Sequence, residues 1–224
     1  MGVIRFFIDF VLHLDRHLGD LISQYGTGTY AILAAIVFAE TGLVVTPFLP
    51  GDSLLFAAGT FAGLGSLDPV VLTGVLMGAV ILGDNVNYWV GRYIGPRAFS
   101  GEYRFFKRKH LERTHAFFER HGGKTIILAR FVPIVRTFTP FVAGIGAMPY
   151  PRFLGYSIGG GLLWVNLFVW VGYYFGNLPF VRKNFSLVIG AIILISVLPM
   201  VIEVIRHRAE AKSAPARSRT DAAA

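Results

Sequence analysis

Phe48-Leu49-Pro50-Gly51-Asp52 and Arg130-Phe131-Val132-Pro133-Ile134-Val135-Arg136 are two short apolar stretches, one in each half of the chain, that combine helix breakers with charge. Charge beside a breaker at membrane depth marks a functional site, because an ionisable group in hydrocarbon is costly. No piece between breakers exceeds about 12 residues, which at about 1.5 Å per residue cannot reach across about 30 Å of hydrocarbon. The pattern predicts two re-entrant hairpins, over 42–65 and 125–148, with Pro50, Gly51, Pro133 and Pro140 among the breakers, together with Gly59 and Gly63. Backbone groups freed at such breaks are tolerated in a membrane only where protein buries them or a wet cavity reaches them. Both hairpins are therefore expected to face one shared cavity.

Composition sets the same frame. The 224 residues are 54% hydrophobic and 15% charged, with 20 Phe and a mean hydropathy of +0.59, too apolar for a soluble domain of this length. One all-α polytopic membrane domain is expected over 1–205, with a basic disordered tail over 206–224 and no removable signal peptide. Cys is absent, which excludes disulfides and thiolate metal sites. The net charge of +8 is concentrated between and after apolar segments, so anionic phospholipid headgroups rather than nucleic acid are the expected partner.

Along the chain, residues 3–22 place apolar side chains at helical spacing with Arg5, Asp9, Arg16 and Asp20 between them, predicting an interfacial amphipathic helix. Spans are expected over 29–40, 70–91, 153–176 and 185–205, and 92–124 reads as a polar, basic, partly amphipathic segment. An internal repeat is visible. Asn85, Trp89, Val90, Gly91, Tyr93 and Gly95 match Asn166, Trp170, Val171, Gly172, Tyr174 and Gly176 at an offset of 81, and Phe48 and Pro50 match Phe131 and Pro133 at 83. Segment 92–124 holds nine Lys/Arg and the tail five, which places both in the cytoplasm by the positive-inside rule. Hairpin one then enters from outside and hairpin two from the cytoplasm, so the repeats are expected to be inverted. Inverted repeats whose broken segments meet near the midplane are the architecture of secondary transporters.

Glu40 and Asp52 lie in or beside the first hairpin, Arg130 and Arg136 in the second. Arginine's planar fork suits a phosphate or carboxylate. A carboxylate in a partly dry cavity is pushed towards its neutral form by burial and towards its anion by a neighbouring Arg, so it can carry a proton. The competing reading has the arginines snorkelling to the interface and Glu40 pairing only to satisfy charge. Asp84 is a further proton-coupling candidate, with a structural ion pair as its alternative. Gly91-x-x-x-Gly95 and Gly172-x-x-x-Gly176 read as close helix packing. His110, His115 and His121 lack a metal-site pattern, and no nucleophile elbow, phosphate loop or zinc-protease motif occurs, so no catalytic residue, metal or cofactor is expected and the chain reads as a non-enzyme.

The combination of Glu40, Pro47-x-x-Pro50-Gly51-Asp52, Ala58-Gly59, Gly83-Asp84-Asn85-x-x-Tyr88-x-x-Gly91-Arg92-x-x-Gly95 and Phe131-x-Pro133-x-x-Arg136-x-x-x-Pro140-x-x-Ala143-Gly144 resembles the bacterial DedA family over roughly residues 30–180. That family is similar in its core to eukaryotic VTT-domain proteins, several of which scramble lipids. The resemblance implies a bacterial inner-membrane protein that returns undecaprenyl phosphate across the membrane in dependence on proton motive force, with both termini cytoplasmic. It implies functional acids at Glu40 and Asp52 and functional arginines at Arg130 and Arg136, with the polyprenyl phosphate and protons as partners. A homo-oligomer, a proton-coupled exporter of small cations or amphipaths, and a non-transporting assembly factor stay open.

Overall fold

The computed structural model describes residues 13–43, 51–98, 126–127, 130 and 133–195. Pro50, the tail and most of segment 92–124 lie outside the described residues. Within them the chain is all-helical, with no strand. Helix α1 (Leu14–Tyr25) buries Leu14 and Leu18, one turn apart, and leaves Arg16 and Asp20 to the opposite side. Gly26, at φ 50°, turns it through a single 3₁₀ turn into α2 (Thr29–Gly42). Of the helix expected over 3–22, residues up to 12 lie outside the described residues, and the described part runs on past 22 to Tyr25. Arg16–Gly42 together is long and apolar enough to cross a membrane, whereas α2 alone, at about 1.5 Å per residue, would reach about 21 Å.

Helix α3 (Gly51–Gly63) precedes α4 (Pro69–Ala98), whose start is fixed by Asp68: its Oδ1 accepts the Val70 and Val71 N–H groups at 2.8 Å, with Pro69 leading. Helix α5 (Pro133–Ile145) is followed by α6 (Tyr150–Phe175), α7 (Pro179–Lys183) and α8 (Phe185–Ile195). Among the described residues three stretches are candidate membrane spans: Arg16–Gly42, Pro69–Gly95 and Tyr150–Phe175. Helix α8 is apolar but shorter.

Gly59 and Pro140 do not break the chain as expected. Gly59 lies inside α3 and Pro140 inside α5, so each short helix is an unbroken 13 residues. Pro140 has no N–H to offer the Arg136 carbonyl one turn earlier, yet the helix runs through it. The described parts of the two helices begin at Gly51 and Pro133.

Helix α3 packs on α6, α5 on α4, α2 on α4, and α4 on α6. The first two crossings are built from the same contacts. A Cβ at Gly59 would strike the Val169 carbonyl, and one at Gly172 the Phe56 carbonyl; a Cβ at Gly144 would strike the Tyr88 carbonyl, and one at Gly91 the Phe141 carbonyl. Gly59 and Gly144 are 85 apart, as are Phe56 and Phe141, while Gly91 and Gly172, like Tyr88 and Val169, are 81 apart. The offset of 83 at Pro50 and Pro133 therefore widens to 85 at the crossing, and the second half holds two extra residues in between. Both short helices end alike: Ser66 N–H bonds the Phe61 carbonyl beyond Gly65 (φ 79°), and Met148 N–H bonds the Ala143 carbonyl beyond Ala147 (φ 54°).

The polarity of the molecule is that of a membrane protein. Leu82, Trp89 and Tyr93 on α4, and Leu163, Tyr174 and Phe175 on α6, are exposed, while Glu40, Asp84, Arg130 and Arg136 are buried. Large apolar side chains outside with charges inside inverts the soluble pattern.

Candidate functional site

Arg136, one turn into α5, is gripped from three other helices. Its Nη2 pairs with Glu40 Oε1 at the end of α2, and its Nη1 donates to Asp52 Oδ1 in the first turn of α3 at 2.7 Å. The guanidinium lies over the Trp164 ring of α6, 4.3 Å from its centroid, and the Trp164 indole N–H donates to the same Asp52 Oδ1 at 2.8 Å. Local sequence explains this convergence. Gly51 opens α3 directly against the Glu40 carboxylate, where any Cβ would overlap its oxygens. The α3 amino terminus, with its partial positive charge, thus faces two carboxylates. Gly42 meets Gly83 backbone to backbone, with 3.1 Å between the Cα of Gly83 and a Cβ built at Gly42, which draws the Glu40 end of α2 onto α4.

Arg130 has a separate set of partners. Its Nη2 pairs with Asp84 of α4 and donates to the Ser157 carbonyl of α6 at 3.0 Å, and the Ser157 hydroxyl bonds the same Asp84 oxygen. Gly160 leaves room for the Arg130 stem; a Cβ there would lie 2.8 Å from Arg130 Nε. Ser157 and Trp164 are seven residues apart on α6, so the two sets share one helix face, about 10 Å apart along its axis. Among the described residues, Arg130 Nε and Nη1 and Arg136 Nε are buried donors without a hydrogen-bond partner. Asn87 ties the frame together: its Nδ2 donates to the Thr41 carbonyl at 3.1 Å and the Thr137 carbonyl at 2.7 Å, each one residue beyond a member of the Glu40–Arg136 pair.

The expected acids and arginines are thus brought together, but not as one two-armed clamp. Glu40 and Asp52 meet Arg136, whereas Arg130 meets Asp84, so in this arrangement each guanidinium is already engaged by acid. Asp84 is ion-paired with Arg130. Trp164, Ser157 and Asn87 were not singled out from sequence. The only signal for the first two is their seven-residue spacing on a span, which any helix face shares.

Charged side chains buried between apolar helices define a polytopic membrane protein with an internal polar centre. A VTT-domain family model matches residues 49–174, which take in both crossings and Asp52, Asp84, Arg130 and Arg136. The chain is 55% identical to the protein DedA of Escherichia coli over 218 residues, 96% of this chain and all of that one. It is 45% identical over 196 residues to an uncharacterized membrane protein of Mycobacterium tuberculosis, 85% of each, and 33% identical over 177 residues to the inner membrane protein YghB of Escherichia coli, 79% of this chain and 78% of that one. No solved structure matches. The chain belongs to the DedA family of VTT-domain membrane proteins.

Proposed function

We propose that the protein is a proton-motive-force-dependent flippase of a lipid-linked phosphate, with undecaprenyl phosphate in the bacterial inner membrane as the substrate that fits best, and that it works as a carrier rather than an enzyme. The observation that carries this reading is the buried set of Glu40, Asp52 and Asp84 against Arg130 and Arg136. Fully ionised, three carboxylates and two guanidiniums leave one uncompensated negative charge in a low-dielectric interior, which is costly; one proton held among the carboxylates removes it. A phosphate that takes over an arginine displaces a carboxylate, which then needs a proton. Headgroup and proton are thereby exchanged at one centre, and the isoprenoid chain stays in the bilayer.

Alternating exposure calls for two halves of opposite orientation, and the proposal includes inverted repeats with α3 and α5 as the inner arms of re-entrant hairpins. The recurrent glycine contacts and the aromatic pairs Trp89–Tyr93 and Trp170–Tyr174, of which only Trp170 is half-buried, support that pairing. With both termini cytoplasmic, a single cysteine at Ser66 reacts with an impermeant thiol reagent from outside and one at Ser100 does not; equal outside labelling of both defeats the inverted arrangement.

Purified protein in liposomes containing labelled polyprenyl phosphate tests the function directly. Leaflet exchange that accelerates with a pH gradient is expected, and Glu40→Gln or Asp52→Asn should still bind the lipid but lose the response to the gradient. Flux of small organic cations without lipid exchange would replace the flippase by an exporter, and neither activity would leave an assembly role.

A further inference from the structure

We infer that Trp164 is a direct ligand of the transported anion, and that the Asp52 carboxylate occupies the place where a phosphate oxygen binds. The inference rests on the lipid-phosphate reading above. Asp52 Oδ1 accepts two donors that converge from different helices, Arg136 Nη1 at 2.7 Å and Trp164 Nε1 at 2.8 Å. Both groups can only donate, so each needs an acceptor when buried. Trp164 is 0% exposed and Arg136 is buried, so neither can turn to bulk water if Asp52 withdraws.

The notch they form does not depend on Asp52 for its shape. The guanidinium is held on the indole face at 4.3 Å, and Glu40 holds its other terminal nitrogen. Whatever anion replaces the carboxylate therefore meets two donors already aimed at one point. A phosphate has more oxygens than the carboxylate it displaces. A tetrahedral anion can accept charge-assisted hydrogen bonds from Nη1 and the indole N–H together. Asp52 then acts as an internal stand-in for the headgroup. A residue that merely oriented Asp52 would lose its purpose once Asp52 was removed, and this separates the two roles.

The test uses the full chain in detergent and farnesyl phosphate as the probe, with binding followed by calorimetry and folding by thermal unfolding. Asp52→Ala is expected to bind farnesyl phosphate about tenfold more tightly than the unchanged protein, because the stand-in is gone. Trp164→Phe added to Asp52→Ala keeps an aromatic ring but removes the N–H, and is expected to weaken binding by about tenfold, the effect of one hydrogen bond to a charged group. Trp170→Phe in the same background should change nothing, since its N–H bonds Asn166. If Trp164→Phe has no effect once Asp52 is absent, Trp164 only positions that acid and the inference falls, while the lipid-phosphate reading stands. If no folded variant binds farnesyl phosphate, the substrate reading itself falls. A second measurement leaves Trp164 intact: with Trp89→Phe and Trp170→Phe, its emission reports the notch alone. Farnesyl phosphate should shift that emission and farnesol should not; equal responses to the two would also overturn the inference.

Discussion

The crossing of α3 on α6 and that of α5 on α4 are alike in backbone and unlike in chemistry. Each joins a 13-residue helix to a long one through carbonyls resting on glycines, and each short helix ends in the same left-handed turn. Yet α3 carries the acid Asp52 and α5 the base Arg136, and α4 carries Asp84 and Asn87 while α6 carries Ser157 and Trp164. The repeat has kept the packing and divided the charges, so that acid from one half is met by base from the other. Packing changes should therefore act equally in the two crossings, and charge changes should not.

The largest effect is expected where the chemistry is concentrated. Arg136→Ala leaves both Glu40 and Asp52 without their partner and should destabilise the protein by about 3–5 kcal/mol and abolish lipid exchange. Arg130→Ala strands only Asp84, which keeps the Ser157 hydroxyl, and should cost less by the same unfolding assay. Equal losses would mean that the two sets are one network. Next come the shared contacts: Gly59→Ala and Gly144→Ala each force a methyl group into a facing carbonyl and should cost about 2–3 kcal/mol apiece. A difference of several kcal/mol between them would break the equivalence of the crossings.

Asn87→Ala removes two hydrogen bonds to buried carbonyls and should cost about 1–2 kcal/mol. It should also lower exchange more than its stability loss accounts for, because it loosens the backbone beside both Glu40 and Arg136. The smallest effects should be opposite in sign. Gly65→Ala should destabilise by about 1 kcal/mol and Ala147→Gly should stabilise by about as much, since both positions lie at positive φ. Melting temperatures of the two variants on either side of the unchanged protein would show it.

The acids, the arginines and the repeat were legible in the sequence because ionisable residues and matched glycines are rare in apolar runs. Which arginine meets which acid was not, for it depends on helix rotation: Arg130 and Arg136 are six residues apart and point to different partners. Pro140 was read as a break because sequence shows the missing N–H but not the packing of α5 on α4 that holds the helix together. Trp164 was illegible for another reason. A lone Trp in an apolar span looks like a lipid anchor, and only its contact with Asp52 and Arg136 distinguishes it from Trp89, which is exposed. The extra pair of residues between Pro133 and Phe141 escaped because the hairpin match was made at the prolines alone.

The exchange of short helices between the halves has a further consequence. Neither half covers its own glycine-lined long helix; each is completed by an arm of the other, as two people linking elbows are each held by the other's arm. A chain cut between residues 98 and 126 would yield two fragments with bare, backbone-exposing helix faces in lipid, each insoluble in the role of a folded unit and each the natural lid of its counterpart. Co-expressed, they should reassemble; expressed singly, they should be degraded.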